Sequence, residues 1–173
     1  IFDIAAQSIG SPLFEHGVPI MHEDTYETKV PTEVLRWIGG KEPVEFTFTG
    51  NGFSDGSVLH PQIIAARRAG WAAVLVDDEG HLIAGLYGTC PDRYPTSLRA
   101  ELYGVMHMLR LALPALAIWV DNQNVVDGFV NGRLWCCFAA RPAADLWRRA
   151  WGLYEDVGDG ITIVKTKGRA ADA

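Results

Sequence analysis

A chain of 173 residues, 49% apolar and 10% aromatic, is long enough to bury one sizeable core and too apolar for a disordered tail. It holds no apolar run of about eighteen residues and no basic-then-apolar leader, so an intracellular protein with no membrane partner is expected, in nucleus or cytoplasm alike. The net charge of −6 speaks against a nucleic-acid partner only until it is divided: residues 1–45 hold eight acids against three bases, and residues 46–173 thirteen against twelve.

Five prolines precede residue 62, and residues 1–45 read as an irregular N-terminal arm or linker. A short helix near Thr32–Ile38, capped by Thr32, is predicted within it. Because the sequence starts at Ile1 rather than Met, it reads as a piece of a larger polypeptide, with residues 46–173 as its folded domain.

From Phe46 the pattern changes. Phe46-Thr47-Phe48-Thr49 alternates aromatic with β-branched residues, and Gly50, Asn51 and Gly52 are placed to bulge that strand before it ends at Asp55-Gly56. Ala69–Val76 and His81–Gly88 read as antiparallel strands joined by a turn at Asp78-Glu79-Gly80. Helical spacing then takes over at Ser97, with Leu98, Leu102, Val105, Met106 and Leu109 on one stripe and Pro114 closing the segment. Leu116–Val120 is almost wholly apolar, as in a strand covered on both faces, and Asp121 ends it. A short helix over Asn122–Phe129, a break at Gly132, a helix over Pro142–Tyr154 and a strand over Ile161–Val164 complete the chain. The cysteines Cys90, Cys136 and Cys137 match no disulfide framework or Cys-x-x-Cys zinc pattern and read as reduced thiols. The order β-β-β-α-β-α-α-β predicts an α/β fold: a mixed five-stranded sheet, three antiparallel strands followed by parallel ones, with helices packed on it.

Three acids stand where such a fold brings chain segments together: Asp55 at the end of the first strand, Glu101 near the start of the first helix, and Asp121 at the end of the fourth strand. Phosphodiester hydrolysis by two Mg²⁺ needs oxygen ligands on a rigid platform, with the ions about 3.5–4 Å apart. Converging carboxylates repel by roughly several kcal/mol unless a cation neutralises them. Singly, each has another reading: Asp-Gly is a common turn pair, Glu101 suits a helix's first turn, and Asp121 suits a cap. The histidines show no zinc-like spacing.

Five blocks in order, Phe53-Ser54-Asp55-Gly56-Ser57, Ala69-Gly70-Trp71-Ala72-Ala73-Val74, Thr96-Ser97-Leu98-Arg99-Ala100-Glu101-Leu102, Ile118-Trp119-Val120-Asp121-Asn122-Gln123 and Ile163-Val164-Lys165-Thr166-Lys167-Gly168, resemble ribonuclease H. The likeness is greatest to the version appended to retroelement reverse transcriptases. It implies the ribonuclease H-like fold and Mg²⁺-dependent endonucleolytic cleavage of the RNA strand in an RNA–DNA hybrid, with Mn²⁺ as a substitute ion. It also implies a reverse transcriptase domain in the same polypeptide. By the same resemblance Asp55, Glu101 and Asp121 are the catalytic, metal-holding carboxylates. Ser57, Asn122 and Gln123 lie beside them as candidates for phosphate or ribose contact. The end of the chain departs from the family: Arg169 stands where a His is expected, leaving it as a candidate substrate contact, and a fourth metal ligand is either absent or supplied by Asp172. A nuclease-silent module that binds nucleic acid or a polymerase domain is the alternative reading. Arg133, Arg141, Arg148, Arg149, Lys165 and Lys167 concentrate basic charge late in the chain, either to track phosphates or as an ordinary solvated face. Trp135 reads equally as a stacking platform or a packing residue.

Overall fold

The computed structural model describes residues 32–40, 43, 45–63 and 66–166. They form six strands, β1 (Leu35–Trp37), β2 (Phe48–Leu59), β3 (Arg68–Val76), β4 (Leu82–Thr89), β5 (Ala112–Val120) and β6 (Ile161–Lys165). Four helices join them: α1 (Ser97–Arg110), α2 (Gln123–Asn131), α3 (Arg133–Cys136) and α4 (Ala144–Val157). The strands lie in the order β1-β4-β3-β2-β5-β6, antiparallel from β1 to β2 and parallel from β2 to β6. The mixed sheet expected from the sequence is present with one strand more than the five predicted.

That extra strand replaces the helix expected at Thr32–Ile38, and Thr32 is not an N-cap. Leu35, Arg36 and Trp37 pair with Leu86, Tyr87 and Gly88 of β4 in antiparallel order. The Thr89 hydroxyl accepts from the Val34 N–H (3.0 Å) and donates to the Thr32 carbonyl (2.9 Å). A free strand edge satisfies the backbone groups of so short a segment more fully than one isolated helical turn does.

The alternation that starts at Phe48 runs on through the Asp-Gly pair, so β2 does not end there; its pairing with β3 continues to Leu59↔Arg68. Gly56 serves a close approach rather than a turn. A Cβ on it would lie 2.4 Å from the Glu101 backbone nitrogen. From the helix side, a Cβ on Gly104 would lie 2.2 Å from Ser54 Oγ. Helix α1 therefore rests directly on β2. The bulge expected near Gly50 is present, where the β2–β5 register shifts.

Thr96 caps α1 by accepting from the Arg99 N–H, and the helix ends at Arg110. Pro114 does not close α1; it lies in β5, in the stretch where that register is broken and a missing N–H costs no ladder bond. Every residue from Ala100 to Leu109 is buried, because the sheet takes one side of α1 and α4 another. Leu102, Met106, Ile118, Val120, Leu146 and Trp147 fill this core. Gly132, with φ 90°, separates α2 from α3, a single turn that the sequence pattern did not announce. Among the described residues no helix is long and apolar enough to cross a membrane.

Candidate metal centre

Each of the three acids arrives from a different element. Asp55 stands within β2, a central strand, and pairs in register with Ala72 of β3. Asp121 follows the last residue of β5, whose Val120 pairs with Ser54. Glu101 is turned onto β2 by the contact at Gly56. One carboxylate oxygen from each of the three lies within 4.8 Å of the others. Asp55 and Asp121 are exposed, whereas Glu101 is only 2% exposed and its Oε2 has no hydrogen-bond partner.

This arrangement raises the Glu101 pKa from the ordinary 4.5 to about 8. Burial is the largest cause, followed by a hydrogen bond with Asp121 and the charges of Asp121 and Asp55; the Gly56 N–H alone pulls the other way. With no cation at hand, Glu101 keeps its proton near neutral pH.

The trio fits a hard divalent cation. Its donors are all carboxylate oxygens, one buried oxygen lacks any partner, and mutual repulsion is what a bound charge relieves. A second group, Asp77, Glu79 and His81, sits on the β3–β4 turn. It differs in kind: Asp77 accepts from the His81 N–H (2.7 Å) and faces the His81 ring at 3.2 Å, so its oxygens are already engaged.

A cavity of about 310 Å³ opens beside the trio, lined by Asp55 and Asp121 together with Phe53, Val74, Trp119 and Thr166. Phe53 and Trp119 stack with centroids 6.0 Å apart, and the Trp119 indole donates to Asn51 Oδ1 at 3.2 Å. Neither ring was singled out in the sequence as part of a site, although each stands two positions before an acid on a strand and so shares its side of the sheet. Of the other candidates, Ser57 is exposed on β2 two residues beyond Asp55. Asn122 is the N-cap of α2, its Oδ1 accepting from the Asn124 N–H (3.0 Å). Gln123 donates along the helix to Asp127 (2.8 Å). Both amides are thus partly committed to α2. Arg169 and Asp172 lie outside the described residues.

No protein-family model and no curated protein sequence matches the chain. Solved structures do. Prototype foamy virus protease-reverse transcriptase aligns with a TM-score of 0.54 at 16% identity, over 73% of this chain and 18% of that one. The PFV RNase H domain aligns at 0.53 and 17% identity, over 73% and 83%. LC9-RNase H1, a type 1 RNase H with the type 2 active-site motif, aligns at 0.52 and 17% identity, over 76% and 67%. At such identities the likeness speaks for architecture: the chain has the ribonuclease H-like fold.

Proposed function

From the ribonuclease H-like fold and the carboxylates gathered on it, we propose that this chain is a ribonuclease H. It would hydrolyse the RNA strand of RNA–DNA hybrids endonucleolytically, with Asp55, Glu101 and Asp121 as its catalytic acids. The observation that carries this reading is Glu101, buried with one carboxylate oxygen lacking a partner beside two further acids at the rim of the central strands. Asp55, Glu101 and Asp121 would hold Mg²⁺, or Mn²⁺ in its place, with Asp172 as a further ligand; a pair of bound ions supplies a more acidic water and neutralises charge on the leaving 3′-oxygen.

The chain's own contributions follow from placement. Asp55 stands on a paired central strand and Asp121 at the tip of its neighbour, so the ligands hardly move when a substrate arrives. Glu101 would have to release its proton to hold a cation, which would link occupancy of the site to pH. Ser57, Asn122, Gln123 and Arg169 are the groups proposed to meet phosphate or the RNA 2′-hydroxyl. Farther out, Arg141 lies over the Trp135 ring at 3.9 Å and its backbone N–H donates to the carbonyl of the exposed Phe138, a surface suited to a nucleic-acid backbone.

In this reading residues 46–173 form the catalytic domain with β1 added to the edge of its sheet, and the rest of residues 1–45 is the arm through which it is joined to a reverse transcriptase domain. The alignment with a foamy virus protease-reverse transcriptase supports that context. Arg169 in place of His makes a slow turnover the expectation.

A hybrid labelled on either strand tests the reading. In Mg²⁺ or Mn²⁺ the RNA strand alone is expected to be cut, with no cutting in EDTA or by Asp55→Asn. Hybrid binding without cleavage in either ion would favour the nuclease-silent module instead.

A further inference from the structure

Asp121 differs from its two partners in how it is held. Asp55 lies within a paired strand and Glu101 within a helix, but Asp121 and Asn122 form the bend between β5 and α2. The side chain of Asn122 is turned to α2, bonded to the Asn124 N–H. The Asn122 carbonyl is likewise taken up by α2, accepting from the Val125 N–H at 3.1 Å, whereas the carbonyls of Val120 and Asp121 are met by the last residue of β6 and the residue after it. The Thr166 N–H donates to the Val120 carbonyl at 2.8 Å, and the Lys165 ammonium donates to the Asp121 carbonyl. Lys165 pairs in register with Val120, which sets its stem beside that carbonyl.

We propose that Lys165 is a positioning residue: its ammonium ties the Asp121 backbone to β6 and so fixes where the Asp121 carboxylate points. This rests on the metal-dependent reading of the same site. A hydrogen bond from an ammonium is charge-assisted and therefore a firmer tie than a neutral one. Lysine also reaches the bend without adding bulk to the cavity, which Thr166 lines and Lys165 does not.

The two roles open to a lysine here have opposite signs. A cation that merely stands nearby repels a divalent ion, so Lys165→Met would tighten ion binding. A tie holds a ligand in place, so the same change would weaken it.

Mn²⁺ titration of the whole chain without hybrid reads this directly, alongside hydrogen exchange of the Thr166 amide in the metal-free protein. Lys165→Met is expected to weaken Mn²⁺ binding about tenfold, the usual scale for a group that orients a ligand from behind, and Lys165→Arg to restore most of it. Thr166 exchange should quicken in Lys165→Met and return towards wild type in Lys165→Arg. Mn²⁺ binding in Lys165→Met that is equal or tighter, or Thr166 exchange that is unchanged, overturns the tie. If the wild-type chain takes up no Mn²⁺, the metal reading fails by itself and the exchange rates still decide: faster exchange in Lys165→Met upholds the tie, and unchanged exchange overturns it.

Discussion

Helix α1 buries Glu101 and His107 to nearly equal depth, at 2% and 5% exposure, with opposite outcomes. The His107 ring stacks on Trp71 with centroids 4.0 Å apart. Its Nε2 lies 2.8 Å from Glu33 Oε1, and its Nδ1 lies 3.5 Å from Arg110. Burial lowers its pKa, Glu33 works against that, and Arg110 and Arg149 add to it. His107 thus has a partner for each ring nitrogen and fastens the β1 segment to the domain. Glu101 has one oxygen without a partner and two carboxylates for company. Burial alone does not mark a site; an ionisable group whose charge the protein leaves unanswered does.

The largest test of that contrast is Glu101→Gln. Hybrid cleavage should fall on the order of a thousandfold, as for loss of a principal electrostatic group at a reacting centre. Thermal melts of the metal-free variant should show about 1–3 kcal/mol of added stability, because a group that resists ionisation is gone. A variant destabilised equally with and without Mg²⁺ would erase the distinction from His107.

A second test uses pH. Glu101 titrates at about 8 in the fold against 4.5 ordinarily, so the folded state binds more protons between those values. Its contribution to stability is fully present below about 4.5 and is lost as pH rises through about 8. Urea midpoints of the metal-free protein should therefore fall across that window. Saturating Mg²⁺, or Glu101→Gln, should flatten the slope, and a slope untouched by either would point to other groups.

The smallest effect is expected at His107. His107→Gln should cost about 1–2 kcal/mol in denaturant unfolding through the lost stack and the lost hydrogen bond to Glu33. Its cleavage rate should stay within about twofold of wild type, since the side chain lies away from the acids. A large fall in rate at unchanged stability would mean that the two ends of α1 are coupled.

Much of this was legible in the sequence, and the exceptions have physical causes. Helix α1 declared itself because its apolar residues recur at helical spacing between Thr96 and Arg110, and β3 and β4 because a polar glycine turn separates two apolar runs. The convergence of the three acids was read from the order of their surrounding blocks, since an Asp-Gly pair taken alone looks like a turn. Strand β1 was illegible because its three residues owe their conformation to the edge of β4 and the hydroxyl of Thr89, partners far away in the chain. The continuation of β2 past Asp55 was hidden for a related reason: Gly56 signals a turn in one dimension and a helix contact in three. Phe53 and Trp119 carry no motif, and only the parallel pairing of β2 with β5 sets them side by side.

The contact at Gly56 has a consequence for how this site can vary. Main chain meets main chain there, so the gap between Asp55 and Glu101 is gauged by atoms that no rotamer change can adjust. A single methyl at position 56 would act as a shim, prising helix from sheet while leaving all three carboxylates in the sequence. The spacing of the acids is thus written in a residue that has no side chain at all.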